Sequence, residues 1–527
     1  MGAGYDIVSV GGGHNGLVAA AYLAKAGRKV IVLERNPHPG GGVVTAELTA
    51  PGFRQDRHSS AHIFILSNPL MKNDELGLKS KFGLEYIIPE IPFGTMFDDG
   101  SVLLTHRSIE KTAESVAQFS KKDAEAYVRF ANYAVKMQPM LLSSMFTPPL
   151  PVGALVATMD QSPEGRDLFR TMLRSGFDVV NEWFESDKIK IHLLKFVSEN
   201  LQGPEENGTG IGLVAMLGLA HTTGVGLPKG GSGKLTEALV KCIESYGGTV
   251  LTGADVTKFH IGGGRVTAVE TTTGERYDAS DAVIGAIHPH LLRDYFPAMN
   301  ADVAARAERT QTSQFTLMNT HYALNQRAHF RGDGEILHNA YMIELVPTDM
   351  DKFRRSFDDL RYRRLADPIT TFSLGIQSDH DPGRVPAGKS NLYFMAFATY
   401  DLADRQNWDD IKWKFADQMI RDVGVWVDNL TPDNIIARHV DSPLDLERSS
   451  KSFRRGDIHG LGPYFYQMNG HRPTPDLAQY KIPGIDRFYL VGPFMHPGGG
   501  VFGAGRGAAI AICRDLKIDF DKVARSP

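Results

Sequence analysis

Cysteine is nearly absent: the 527 residues carry two, Cys242 and Cys513. Two thiols so far apart build no disulfide framework, lack metal-ligand spacing and exclude a CxxC redox relay, so a reducing, cytoplasmic setting is expected. No Lys/Arg block stands out, and 57 basic against 61 acidic residues give a formal charge of −4. That leaves no electrostatic footprint for nucleic acid. No basic-then-apolar leader is seen; the sequence enters a strand pattern almost at once. The most membrane-like stretch, 208–227, is broken by glycines and by His221, Thr222 and Thr223, and the next, 137–159, by Pro148, Pro149 and Pro151. Neither spans a bilayer. Both read first as core or interdomain packing, and second as the wall or mouth of an apolar substrate tunnel resting on a membrane surface. Internal repeats and low-complexity segments are also missing.

What remains is an ordinary globular composition, 42% apolar and 22% charged, in a chain long enough for two or three domains or one interleaved pair. Tyr5–Val10 reads as a buried strand, Leu17–Lys25 as an Ala-rich helix ended by Gly27, and Val30–Leu33 as a second strand that ends on Glu34. Between the first strand and the helix lies Gly11-Gly12-Gly13-His14-Asn15-Gly16. This βαβ order, with an acid 18 positions after the last glycine, has a specific physics. Gly11 permits a tight turn, Gly13 lets the backbone approach a pyrophosphate, and Gly16 lets helix and sheet pack closely. The helix N-terminus presents N–H groups and a positive dipole end to the phosphates. Glu34 is placed to accept from ribose hydroxyls, and a 2′-phosphate is disfavoured despite Arg35 beside it. A plain tight turn would leave Glu34 unexplained.

Gly40-Gly41-Gly42 follow Glu34 by six to eight residues, where a second backbone approach to a long cofactor would fall. A returning strand and small β-meander over 247–273, and a strand Phe488–Gly492 running through His496-Pro497-Gly498-Gly499-Gly500-Val501 into a small-residue helix at 503–516, complete the set. These features favour FAD over NAD, because a single full fingerprint is present and the C-terminal turn has no role in an NAD enzyme. The P-loop-like Gly230–Leu235 fails its spacing and puts Leu235 where Ser or Thr must reach magnesium. His58, His62 and His221 lack the spacing of metal ligands, and no metal is expected.

The motifs GGGHNG, ERN with PGGG, AELTAPGFRQDRHSSAH at 46–62, PKGGSGKLTEAL at 228–239, SDHDPGRVPAG at 378–388, GDIHG at 456–460 and VGPFMHPGGGV at 491–501 resemble one family along the whole chain. It is that of the phytoene desaturase-like FAD oxidoreductases, within the amine-oxidase and Rab GDP-dissociation-inhibitor fold group. The branch is the one containing pyridine nucleotide-disulfide oxidoreductase domain-containing protein 2. Two departures are Gly42, where members often have Arg or Lys, and Gly492-Pro493, where many have Gly-Ala or Gly-Asp. The resemblance implies an α/β fold: a Rossmann-type FAD domain from residues 1–70, 225–300 and 480–527, interleaved with a mixed-sheet-plus-helices (α+β) substrate domain from 71–224 and 301–479. It places Val256 at the adenine. The cofactor set expected is Gly11, Gly13, His14, Asn15, Gly16, Glu34, Arg35, Gly41, Gly42, Val256, Gly492, Gly500 and Val501. The residue pattern agrees with this division: 108–146 is helical with Ser120 as a cap, 315–324 and 392–398 are strands, and 411–430 is an amphipathic helix.

The function expected is a desaturase or dehydrogenase that passes a hydride from an apolar or alicyclic small molecule to flavin N5, with oxygen, a quinone or a carrier as electron acceptor. For a carbonyl substrate, a base would take the α-proton, and the candidates are His62, His496 and Tyr466; a polyene needs no such base. The alternatives are an amine or alcohol oxidase, a redox-neutral flavin isomerase, and a non-catalytic prenyl-protein binder of the same fold.

Overall fold

The structure, a computed structural model, describes residues 3–501 and 503–525, so the expected spans 1–70 and 480–527 reach past the described residues at their ends. The chain opens as β1 (Ala3–Val10), α1 (His14–Lys25) and β2 (Val30–Leu33). Both strands lack the alternation of a half-exposed sheet, and their apolar runs 7–8 and 30–33 are fully buried. Such runs belong in a parallel sheet covered on both faces. They form the centre of an eight-stranded sheet in which Arg276–Gly285, β1, β2 and Thr249–Leu251 run parallel. Ile485–Leu490 extends it in parallel, and the hairpin Val256–Gly262 and Arg265–Thr271 closes that edge.

α1 is buried from His14 to Ala24 because it is enclosed on every side. Its alanines let neighbouring helices approach to backbone contact: a Cβ at Gly505 would stand 2.0 Å from the Asn15 carbonyl oxygen. This ties the C-terminal helix Gly505–Asp515 directly to the first βαβ unit.

The second sheet has seven strands, in the order Ile435–Asp441, Thr316–Leu324, Ser390–Ala398, Phe372–Gly375, Ala340–Val346, Ile91–Phe97 and Val102–Thr105. Its pairings are antiparallel except for the parallel pair of Ala340–Val346 with Ile91–Phe97. Side chains alternate across it with period two. Met318, Tyr322, Ile343, Leu345, Phe394 and Ala396 pack with Phe415, Met419 and Val423 of the helix Trp408–Val423. The opposite face meets a helical layer that includes Lys121–Ser143, Asp187–Ser198 and Gly210–Thr222.

Several expected boundaries shift for local reasons. The helical span 108–146 is two helices, Ile109–Ala117 and Lys121–Ser143, because the Ser120 hydroxyl accepts from the Asp123 N–H at 3.1 Å and starts the second. The helix expected to reach 430 ends at Val423, at Gly424, leaving Trp426 buried just beyond it. The stretch 208–227 yields Gly210–Thr222, mostly buried, and among the described residues no helix is long and apolar enough to cross a membrane. All strands of the first sheet come from residues 3–33, 249–285 and 481–490. Its core nonetheless also takes Leu76, Leu78, Leu84, Val303, Ala307, Leu461 and Leu477, so packing runs past the boundaries expected at 70, 300 and 480.

Candidate functional site

β1 ends in a turn that each glycine shapes differently. Gly11 sits at φ +97°, and a Cβ there would meet the Ala286 Cβ at 2.8 Å. A Cβ at Gly16 would lie 2.5 Å from the Gly11 carbonyl oxygen, so the helix can rest on the turn only without a side chain. Gly13 is unlike both. Its φ of −65° suits any residue, and a Cβ would find nothing nearer than the Gly41 Cα at 4.0 Å. The protein's own packing therefore does not require glycine at 13, and the position opens onto the cavity described below. Gly13 is also the N-cap of α1, and no side chain caps that helix end. Gly40 N donates to Gly12 O at 2.7 Å, which holds the 40–42 loop against the turn.

Glu34 is 5% exposed. One carboxylate oxygen accepts from the Gly12 N–H at 2.7 Å and the other from the Asn36 N–H at 2.9 Å. Each oxygen keeps further acceptor capacity toward the space it lines. Glu34 N and O bond Leu251 O and Ala254 N, which brings Val256 alongside.

A cavity of about 310 Å³ continues from this turn to the second sheet. Every residue the motifs nominate for a dinucleotide, from Gly11 to Val501, lies on its wall. Most of the far wall lies outside the sequence motifs. Leu317 and Asn319, Met342, and Tyr393 and Met395 are alternate positions on three strands of the second sheet, and Leu446, Phe453, Ile458 and His459 close it from the segment that follows. Strand 316–324 is buried on both faces, so no period-two pattern sets Leu317 and Asn319 apart in the sequence. Asn319 donates through Nδ2 to the Arg57 carbonyl at 2.8 Å, and its Oδ1 is buried with no hydrogen-bond partner among the described residues. Burial pushes His14 and His321 down to about 4 and His58 to about 3, so these imidazoles are neutral at neutral pH.

None of the three proposed bases lines this cavity. His62 follows lining residue Ala61, and its ring is buried with Nδ1 2.8 Å from the Tyr86 hydroxyl. His496 is buried, with Nε2 2.9 Å from the Ser144 carbonyl. Tyr466 is 56% exposed, stacked on Tyr464 and donating to Gln311. Sequence proximity to a motif gave no information on where these side chains point.

The middle motifs meet behind the cradle. Buried Arg384 pairs with Asp56 at 2.6 Å and Asp381 at 3.1 Å and donates to the Pro228 carbonyl at 3.0 Å. Asp56 accepts from the Ser232 N–H at 2.8 Å, and Asp381 from the Gly230 N–H at 2.6 Å. The glycine loop 230–233 is thus a brace for the cradle.

Fold and cradle together define a Rossmann-type, dinucleotide-binding α/β protein with a second mixed sheet. The model of the NAD(P)-binding Rossmann-like domain matches residues 10–73. Across nearly the full chain, homologues include pyridine nucleotide-disulfide oxidoreductase domain-containing protein 2 of Rattus norvegicus, at 28% identity over 97% of this chain and 94% of the relative. A limonene dehydrogenase chain of Castellaniella defragrans is 24% identical over 98% and 95%. Carotenoid and phytoene desaturases also match, at 22–24% identity. The fold is that of the amine oxidases: cyclohexylamine oxidase from Brevibacterium oxydans superposes with a TM-score of 0.58 at 16% identity, over 97% of this chain and 99% of the other.

Proposed function

We propose that the chain is an FAD-dependent oxidoreductase that takes a hydride from an uncharged, largely apolar small molecule, as a desaturase or dehydrogenase. One observation carries this reading: a single cavity joins a dinucleotide cradle to an apolar wall made of Leu317, Met342, Met395, Leu446 and Ile458. A pure nucleotide-binding module has no use for the second half. Gly13, the uncapped end of α1, Glu34 and the 492–501 turn would hold FAD, and Val256 would lie at its adenosine end. Bound there, FAD supplies a hydride acceptor at its ring. The chain orients the substrate on the second sheet, excludes water with that apolar wall, and offers neutral imidazoles and the free Asn319 oxygen as its polar contacts. The desaturases and the limonene dehydrogenase among the relatives support an apolar substrate class.

The purified protein is expected to be yellow, to release FAD on denaturation, and to bleach anaerobically with a member of a panel of polyenes, monoterpenes, cyclic ketones, amines and alcohols. The member that bleaches it fixes the substrate class. A colourless protein that stays so after reconstitution with FAD ends the reading.

A further inference from the structure

Arg384 and Arg472 are the two largest fully buried side chains among the described residues, and they are compensated differently. Arg384 has two carboxylate partners. Arg472, 1% exposed, has no carboxylate within salt-bridge distance among the described residues; Asp457 attracts it from further away. Its five hydrogen bonds all go to backbone carbonyls: Nη1 to Gly462 and Gln467, and Nη2 to His459, Leu461 and Pro493, the last at 2.9 Å. Its Nε has no hydrogen-bond partner among the described residues.

A buried cation paired with neutral dipoles alone is a costly arrangement. Burial pushes even this guanidinium down, to about 10. The field it sets up reaches the rings of His288, His459 and His496, lowering the proton affinity of each. Two of the segments it clamps line the cavity through His459 and Pro493. A Cβ at Gly498 would lie 3.6 Å from the guanidinium carbon, so the C-terminal turn runs directly over it. The opposite end of the cavity, at Glu34 and Val256, belongs to the adenosine half of a dinucleotide, which leaves the reacting half at the end where Arg472 stands.

Resting on the FAD reading above, we propose that Arg472 is an electrostatic positioning residue for the cofactor: its unpaired charge stabilises the negative charge a flavin ring acquires on accepting a hydride, and so raises the reduction potential of the bound flavin. The balance is simple. A hydride brings two electrons and one proton to a neutral ring, which keeps one net negative charge, while the carbon that gave the hydride sheds a proton to solvent or a base. A cation across a low-dielectric wall favours the charged form over the neutral one.

The test uses the full-length protein with FAD bound, as wild type, R472K and R472M. Anaerobic dye equilibration gives the two-electron potential, and titration with sulfite, which also adds to the ring and leaves it negative, gives a dissociation constant. Wild-type flavin is expected above the potential of free FAD in the same buffer, and R472K close to wild type. R472M is expected to bind sulfite roughly tenfold more weakly or worse, and a tenfold change corresponds to a downward shift of about 30 mV. A purely structural clamp predicts another pattern: lysine cannot reach five carbonyls, so both variants would lose stability alike while the potential stayed put, which overturns the proposal. If R472M fails to fold, the wild type decides, since a potential at or below that of free FAD overturns the proposal by itself. Protein that takes up no FAD defeats the underlying reading, whereas yellow protein with an unmoved potential defeats this inference alone.

Discussion

At the scale of single residues, the three fingerprint glycines separate into two kinds. Gly11 and Gly16 are required by contacts inside the protein, so side chains there strain the fold. Gly13 faces the open space of the cavity, and no contact inside the protein calls for a glycine there. Gly13→Val should therefore melt within about 1 kcal/mol of wild type. It should lose roughly ten- to a hundredfold in FAD affinity, the equivalent of an overpacking penalty of about 1–3 kcal/mol. Gly16→Val, whose Cβ would press on a backbone oxygen, should fail to fold. Flavin content and melting temperature of the two variants check the contrast; full flavin occupancy in folded Gly13→Val would move the cofactor elsewhere. Glu34 has a double role, since it satisfies the N–H groups of Gly12 and Asn36 as well as facing the cavity. Glu34→Ala should cost about 1–3 kcal/mol of stability for the orphaned donors and a further roughly ten- to a hundredfold in FAD affinity. Turnover per bound flavin should barely move. Fluorescence titration of apo-protein reads the affinity, and an unchanged dissociation constant would remove Glu34 from the ribose.

At the scale of elements, the brace behind the cradle explains motifs that local sequence reading could not. PKGGSGKL looks like a failed phosphate loop in isolation; its partners Asp56 and Asp381 lie more than a hundred positions away on either side. Arg384→Met leaves both carboxylates buried without their cation, which should destabilise by about 3–5 kcal/mol. Asp56→Asn in the same background should recover part of that, because the amide still accepts from Ser232 without carrying a charge. Urea unfolding of the single and double variants measures both, and a loss under about 1 kcal/mol for Arg384→Met would mean the brace carries little. The same contrast marks what was legible beforehand. The βαβ unit could be read because each of its parts, continuous apolar strand, glycine turn, alanine helix and terminal acid, is a local signal. The second-sheet wall of the cavity was hidden because strands such as 316–324 are buried on both faces, which flattens the period-two pattern that would separate Leu317 and Asn319 from Met318. His62 and His496 do not line the cavity for a related reason: adjacency to a motif fixes a backbone position and leaves the side-chain direction open.

At the scale of the whole molecule, buried neutral histidines join segments that are distant in the chain. His496 reaches the Ser144 carbonyl and His288 the Gly460 carbonyl, while His192 lies between the hydroxyls of Thr95 and Thr105. Together with His14, His62 and His321, these are buried imidazoles that desolvation pushes down to about 3 or 4. In the unfolded chain a histidine titrates near 6.5, so between about pH 6.5 and 4 the unfolded state binds more protons than the folded one. Stability then rises with pH across this window and is lost as pH falls through it, by about 1.4 kcal/mol per pH unit for each histidine left neutral in the fold. Six such groups would exhaust a typical stability of about 5–15 kcal/mol within one to two pH units. The protein is therefore expected to unfold cooperatively with a midpoint between about pH 4 and 6, taking up several protons in one transition and releasing its cofactor with it. Circular dichroism and flavin fluorescence followed along a pH titration would show the two signals moving together. Native ellipticity retained at pH 4 would mean that these imidazoles accept protons within the fold, and that the seams they hold are wetter than the packing implies.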